Sequence, residues 1–308
     1  MTTAAVQGDS LTLSSIADES GTFAIIAFDQ RNTLRRMFTA VGIEATDQDM
    51  RDVKVEVTKA LTPDATGILL DPQLGVGAVM DAGALDSSCG LLIAAEPTDR
   101  GDFDGEPRSY RMPEQNAAWV KSLGGDAVKI LVMMNPQREV RPGEPDITAE
   151  TVDVVQSIVD DCREQGIPSV IENLIFAPRG VDKLTPVQRE RAIISSAELL
   201  TATKPDILKL EYPGSPEGCR KLSGVLTVPW AVLSAGVDFD VFEDVIKVSC
   251  DDGGASGFIA GRSVWKEAVG LNPRERATFL SETARPRLIK LREAIAGRAT
   301  PWQNGGKQ

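Results

Sequence analysis

The sequence predicts a single α/β domain, a (β/α)8 TIM barrel, and three observations carry that prediction. Eight short apolar runs recur along the 308 residues, each followed by a longer stretch with helical spacing. The runs are nearly continuous in apolar residues rather than alternating, as parallel strands covered on both faces require. Charged residues stand at the ends of several runs, where a barrel gathers its chemistry. A doubly wound open sheet is the alternative, but no Gly-x-Gly-x-x-Gly motif follows the first run.

Taken in order, residues 1–22 are expected to add a leading helix, 23–298 to form the barrel and 299–308 to be a frayed tail. The strands fall at Phe23–Asp29, Gly67–Asp71, Gly90–Ala95, Ala127–Met133, Ser169–Asn173, Ile207–Tyr212, Trp230–Ser234 and Gly257–Ala260. A helix over Thr148–Gln165 is marked by Val152, Val155, Ile158, Val159 and Cys162, with Thr148 as its cap and Gly166 as its stop. Others begin near Thr46, Pro113, Thr185, Pro216, Asp238 and Asn272. Thr98–Pro113 and Met134–Pro145 read as long loops; both follow strands, which puts them at the mouth of the barrel.

Composition narrows the function. Lys and Arg number 33 against 45 Asp and Glu, a net charge of −12, and nucleic-acid binding wants the opposite field. Cys89, Cys162, Cys219 and Cys250 are scattered without metal-ligand or disulfide spacing, which fits a reducing cytoplasm. The first residues have no signal-peptide pattern and no run is long enough to cross a bilayer, so no membrane partner is expected. There is no histidine. The usual general base and the usual zinc ligand are therefore missing, and lysines and carboxylates must do the proton and carbonyl chemistry without a cofactor or metal.

Lys209 lies within an apolar strand, Ile207-Leu208-Lys209-Leu210. A lysine in a sheet interior gives up water, which disfavours the ammonium and frees an amine to attack a carbonyl. Lys129 and Glu172 occupy the two preceding strands and Asp29 closes the first, so one base, one acid and two amines converge if those faces point inward. Each residue alone could instead snorkel outward or join a helix-facing ion pair. The set at matching strand ends favours function. A second signal comes from Leu233-Ser234-Ala235-Gly236 and Ala260-Gly261-Arg262, where glycines expose backbone N–H groups and Arg262 adds a fork for phosphate.

These residues resemble the class I aldolases acting on tagatose 1,6-bisphosphate and on sulfofructose 1-phosphate. The matching stretches are Ala27-Phe28-Asp29-Gln30-Arg31, Ala127-Val128-Lys129-Ile130-Leu131, Asp206-Ile207-Leu208-Lys209-Leu210-Glu211, Leu233-Ser234-Ala235-Gly236-Val237 and Gly257-Phe258-Ile259-Ala260-Gly261-Arg262. The resemblance implies Lys209 as the Schiff-base lysine and Glu172 as the acid/base carboxylate. It further implies Lys129 and Asp29 as supporting residues, and Gln30, Ser234 and Arg262 as substrate or phosphate contacts. The short segment Leu174 to Arg191, with Pro178-Arg179-Gly180, is similar to the sulfofructose-phosphate branch; Leu70-Asp71-Pro72 and Asp86-Ser87-Ser88-Cys89-Gly90 are similar to the tagatose branch.

The expected reaction is cleavage of a ketose 1-phosphate to dihydroxyacetone phosphate and an aldehyde. The expected partners are a small sugar phosphate and further copies of the chain. A distal anionic group would need another arginine, and Arg31, Arg138 and Arg179 are candidates. The alternatives are a Schiff-base aldolase of another sugar-phosphate branch, a metal-dependent sugar-phosphate epimerase and a non-catalytic sugar-phosphate sensor.

Overall fold

The computed structural model describes residues 11–306. Eight parallel strands close into a barrel: β1 (Phe23–Phe28), β2 (Gly67–Leu70), β3 (Gly90–Ala94), β6 (Ala127–Met133), β7 (Ser169–Leu174), β8 (Ile207–Leu210), β9 (Trp230–Val232) and β10 (Gly257–Ala260). The last strand returns to pair with the first, Phe23 lying opposite Gly257. The predicted strands all form: β6 and β10 keep the expected bounds, β7 runs one residue further, and the other five end one or two residues early.

The short strands β4 (Gly101–Phe103) and β5 (Glu106–Arg108) form an antiparallel hairpin inside the stretch that the sequence marks as a loop. Its turn places Asp104 and Gly105 at positive φ. The charge and glycine content that suggest a loop are the polar faces and turn of an exposed ribbon.

Two apolar layers hold the barrel. Side chains pointing outward from the strands meet α1 (Asn32–Ala40), α2 (Asp47–Leu61), α3 (Gly77–Asp81), α4 (Ala117–Ser122), α5 (Ile147–Gln165), α6 (Pro186–Thr201), α7 (Pro216–Val225) and α8 (Phe239–Asp251), followed by α9 (Arg262–Trp265), α10 (Pro273–Phe279) and α11 (Arg285–Ile295). Inside, Ile25, Leu69, Leu92, Ala127, Val170, Ile207, Ala231 and Ile259 fill the lower lumen. Strand alternation then puts Lys129, Glu172 and Lys209, each two residues further along its strand, on the same inner wall but higher.

The helix starts largely follow the expected caps. Thr46 and Thr185 each close a reciprocal capping box, and Asn272 accepts from the backbone N–H groups of Arg274 and Glu275. Two differ. Asp146, not Thr148, caps α5, because its carboxylate accepts from the free N–H groups of Thr148 and Ala149. The helix expected near Pro113 begins at Ala117, where Asn116 caps Trp119. Gly166 ends α5 in the left-handed region as expected.

The expected leading helix is replaced, over the described residues 11–22, by one 3-10 turn at Leu13–Ser15; residues 1–10 lie outside the described residues. The tail expected to fray is tied down as far as it is described. Thr300 donates to the Ala255 carbonyl at 3.0 Å and Trp302 N–H donates to Gly21 at 2.8 Å. Leu13, Ile16 and Trp302 pack on the inner apolar cluster, so these two segments stopper the N-terminal end of the barrel. Apolar anchors, rather than charge or glycine content, decide that order.

Candidate active site

Five charged side chains converge at the C-terminal end of the barrel. Asp29 follows β1, Glu96 lies two residues past β3, and Lys129, Glu172 and Lys209 come from β6, β7 and β8. Lys129 is at the centre: its Nζ lies 2.7 Å from Asp29 Oδ2, 2.9 Å from Glu96 Oε1 and 2.8 Å from Glu172 Oε2. Lys209 Nζ lies 2.9 Å from the same Glu172 Oε2. Register makes this possible, because Glu172 pairs directly with Lys209, and Leu131, two residues beyond Lys129, pairs with Glu172. Lys129 is fully buried and Lys209 is 4% exposed.

The electrostatics follow from that packing. Burial opposes the Lys129 ammonium, but Asp29, Glu172 and Glu96 outweigh it and hold its pKa well above the ordinary lysine value. Burial likewise opposes the carboxylates of Asp29 and Glu172; Lys129 and Lys209 overcome it and hold both below the usual carboxylate range. Lys129 is thus a fixed cation. Glu172, bonded to both amines, is the group through which a proton can pass toward Lys209.

Above the cluster lies an open cavity of about 310 Å³, lined by Asp29, Gln30, Arg31, Glu96, Lys129, Glu172 and Arg262 among others. Lys209 stands one hydrogen bond behind this lining, on Glu172. Gln30 donates to Asp29 Oδ1 at 3.2 Å, while its own carbonyl oxygen is buried and unpartnered. Such an oxygen facing a polar cavity is an acceptor waiting for a hydroxyl. Arg31 is tied to the Thr98 hydroxyl at 2.7 Å and to the Glu96 carbonyl at 3.3 Å.

Of the residues expected at the phosphate turn, Arg262 lines the cavity, whereas Ser234, Gly236 and Gly261 do not. Gly236 sits at φ +80°, and a Cβ there would come within 3.2 Å of the Arg262 guanidinium carbon. A side chain would therefore strain the backbone at this φ and press lightly on the guanidinium.

Arg138 and Arg179 are not in the cavity. Arg138 is buried on Glu106 at 2.5 Å and Glu144 at 3.1 Å; Arg179 meets Asp104 and Glu144. They clamp the hairpin to the loops after β6 and β7, a use no sequence spacing announces.

The sequence reading also misses Glu96, which stands past a strand end as Asp29 does but opens a proline-led loop. It misses the fully buried Lys54, whose Nζ lies 2.8 Å from Asp71 Oδ2 and donates to the Phe28 carbonyl at 2.5 Å. That pair pins the strand end from which Asp29 projects. Among the described residues no cluster of His, Cys, Asp or Glu has metal-site geometry, and no helix is long and apolar enough to span a membrane. All four cysteines are unbridged and buried.

Comparison with known proteins identifies the family and the fold. The chain is 27% identical to tagatose 1,6-diphosphate aldolase 2 of Enterococcus faecalis, over 96% of each chain. It is also 27% identical to tagatose 1,6-diphosphate aldolase 2 of Streptococcus mutans, over 94% of this chain and 95% of that one. An archaeal fructose 1,6-bisphosphate aldolase shares the fold, with a TM-score of 0.59 and 17% identity over 89% of this chain and 96% of that one. The DeoC/LacD family aldolase profile matches residues 23–267, from the first barrel strand to just past the last. With its barrel and charged mouth accounted for, the chain belongs to the DeoC/LacD family of aldolases, the carbon–carbon lyases that release an aldehyde.

Proposed function

We propose that Lys209 is the nucleophile of a class I aldolase that cleaves a ketose 1-phosphate to dihydroxyacetone phosphate and an aldehyde. The observation that carries the reading is the shared Glu172 oxygen, 2.9 Å from Lys209 and 2.8 Å from Lys129. The held cation Lys129 keeps Glu172 ionised, so Glu172 can take a proton and later return it.

The neutral Lys209 amine adds to the C2 ketone and loses water to form an iminium. Glu172 takes the proton of the C4 hydroxyl; the C3–C4 bond breaks, its electron pair moves into the iminium to give an enamine, and the aldehyde leaves. Protonation of C3 and hydrolysis then release dihydroxyacetone phosphate and restore the amine. The iminium is the electron sink, so this route uses no metal. Arg262 holds the 1-phosphate and Gln30 and Asp29 hold sugar hydroxyls, an orientation that turns a bimolecular addition into an intramolecular one. Ser234, Gly236 and Gly261 shape the turn behind Arg262.

The tagatose 1,6-diphosphate named for the relatives makes a ketose 1,6-bisphosphate the first substrate to test. The short segment after β7 makes sulfofructose 1-phosphate the second. Borohydride with dihydroxyacetone phosphate should fix a mass adduct on Lys209, absent in Lys209→Met, and EDTA should leave turnover intact. An adduct on another lysine, or activity abolished by chelation, refutes the assignment. Coupled assay of dihydroxyacetone phosphate from tagatose 1,6-bisphosphate, fructose 1,6-bisphosphate and sulfofructose 1-phosphate identifies the substrate.

A further inference from the structure

We propose that Lys54 is a positioning residue for the reaction. From α2, outside the cavity, its ammonium fixes the end of β1 and so the direction in which Asp29 and Gln30 enter the cavity, and Asp71 holds that ammonium in place. This role rests on the aldolase reading, in which Asp29 and Gln30 hold sugar hydroxyls.

Lys54 and Asp71 are both fully buried, and neither lines the cavity. A buried ion pair gains a fold little over well-packed apolar side chains of the same size, so stability alone does not account for it. Its two halves are held differently. Asp71 follows β2 and caps the helical turn Pro72–Val76, its Oδ1 accepting from the Gln73 N–H at 3.0 Å and the Leu74 N–H at 2.8 Å. That fixes the carboxylate to the backbone and leaves Oδ2 for Lys54, at 2.8 Å. Anchored there, Lys54 Nζ donates to the Phe28 carbonyl at 2.5 Å and stands 4.4 Å from the centre of the Phe28 ring.

Phe28 is the last residue of β1, and Asp29 is the next in the chain. The Phe28 ring also packs on Trp265, with centroids 4.0 Å apart, and the Trp265 indole donates to the Ala27 carbonyl at 3.2 Å. The last two carbonyls of β1 are thus each held by a side chain from outside the sheet, one from α2 and one from α9. From this fixed end Asp29 Oδ2 meets Lys129 at 2.7 Å, and Gln30 reaches Asp29 Oδ1 at 3.2 Å. Charge adds to geometry: against burial, Lys129, Lys209 and Lys54 hold Asp29 below the usual carboxylate range. Glu172 and Lys209, on β7 and β8, are bonded to each other, and Glu172 to Lys129, rather than to Lys54.

That separation supplies the test. Lys54→Met with Asp71→Asn removes the pair without stranding a charge. Arg276→Met with Glu56→Gln is the control, because it takes from the same α2 another ion pair, of 2.6 Å, made with α10. Two rates are read on each protein. One is borohydride trapping of dihydroxyacetone phosphate on Lys209, a ligand without the hydroxyls beyond C3. The other is cleavage of whichever ketose phosphate of the three above the wild type turns over fastest. In the Lys54 variant, trapping should stay within about twofold of wild type while cleavage falls at least about tenfold, since a displacement of about 1 Å can cost on the order of 100-fold. In the control both should stay within about twofold. Wild-type cleavage in the Lys54 variant, an equal fall in trapping and cleavage, or a control that loses cleavage as far, overturns the proposal. A wild type that forms no Lys209 adduct defeats the nucleophile assignment instead.

Discussion

Replacing Lys129 by Met tests the electrostatic core of the site. The side chain is fully buried, and the substitution leaves three carboxylates that now sit 2.7–2.9 Å from one ammonium without it. Breaking one buried pair costs about 3–5 kcal/mol, and relief by protonation keeps the total near that range rather than three times it. For a chain of this size the melting temperature should fall by roughly 5–8 °C at pH 7. The pH dependence carries the diagnosis.

In the wild type, Asp29 and Glu172 have folded pKa values below their unfolded ones, near ~4. Their stabilisation is fully present above that value and is lost as the pH falls through the folded values. Without the ammonium, burial and mutual repulsion raise those pKa values instead, so lowering the pH protonates the carboxylates and relieves the variant. The gap between variant and wild type should therefore narrow from pH 7 to pH 5, measured by urea titration. Turnover at pH 7 should drop by about 100-fold or more, because a protonated Glu172 is no base. A gap that is the same at both pH values, or wild-type turnover, would refute the reasoning.

Lys54→Met strands buried Asp71 and should cost about 3–5 kcal/mol, while Lys54→Met with Asp71→Asn should cost less in the same denaturant titration. Gly257→Ala should fail to give soluble protein or lose on the order of 3 kcal/mol or more, since φ is +132° and the new Cβ would lie 2.0 Å from the Phe23 carbonyl oxygen. Trp302→Ala removes a half-buried ring at the opposite end of the barrel from the charged cluster, so stability should fall by about 1–2 kcal/mol while kcat stays within twofold of wild type.

The eight strands were legible because each is apolar and short, and a wrong register would have put Lys129, Glu172 and Lys209 among the outer helices. Their shared inner wall follows from alternation alone. Glu96 was hidden because it lies past a strand rather than in one, where a carboxylate reads as an ordinary loop residue. Arg138 and Arg179 lie outside the cavity for a different reason. Which arginine is spent on a carboxylate depends on the hairpin and on loops far apart in sequence, such as Glu106 and Arg138. Local pattern does not encode that pairing. The order of the tail is hidden in the sequence because Thr300 and Trp302, which tie it down, sit among glycine and polar residues.

The five-charge cluster divides unevenly along the chain. Asp29, Glu96 and Lys129 come from the first four barrel strands, and Glu172 and Lys209 from the last four. On the proposed mechanism, neither half-barrel owns both the Lys209 amine and the Lys129 cation beside Glu172. Two fragments cut in the turn after α5 would each be inert, and turnover recovered on mixing them would report reassembly of the ring. The site therefore belongs to the closed ring and to neither half of it.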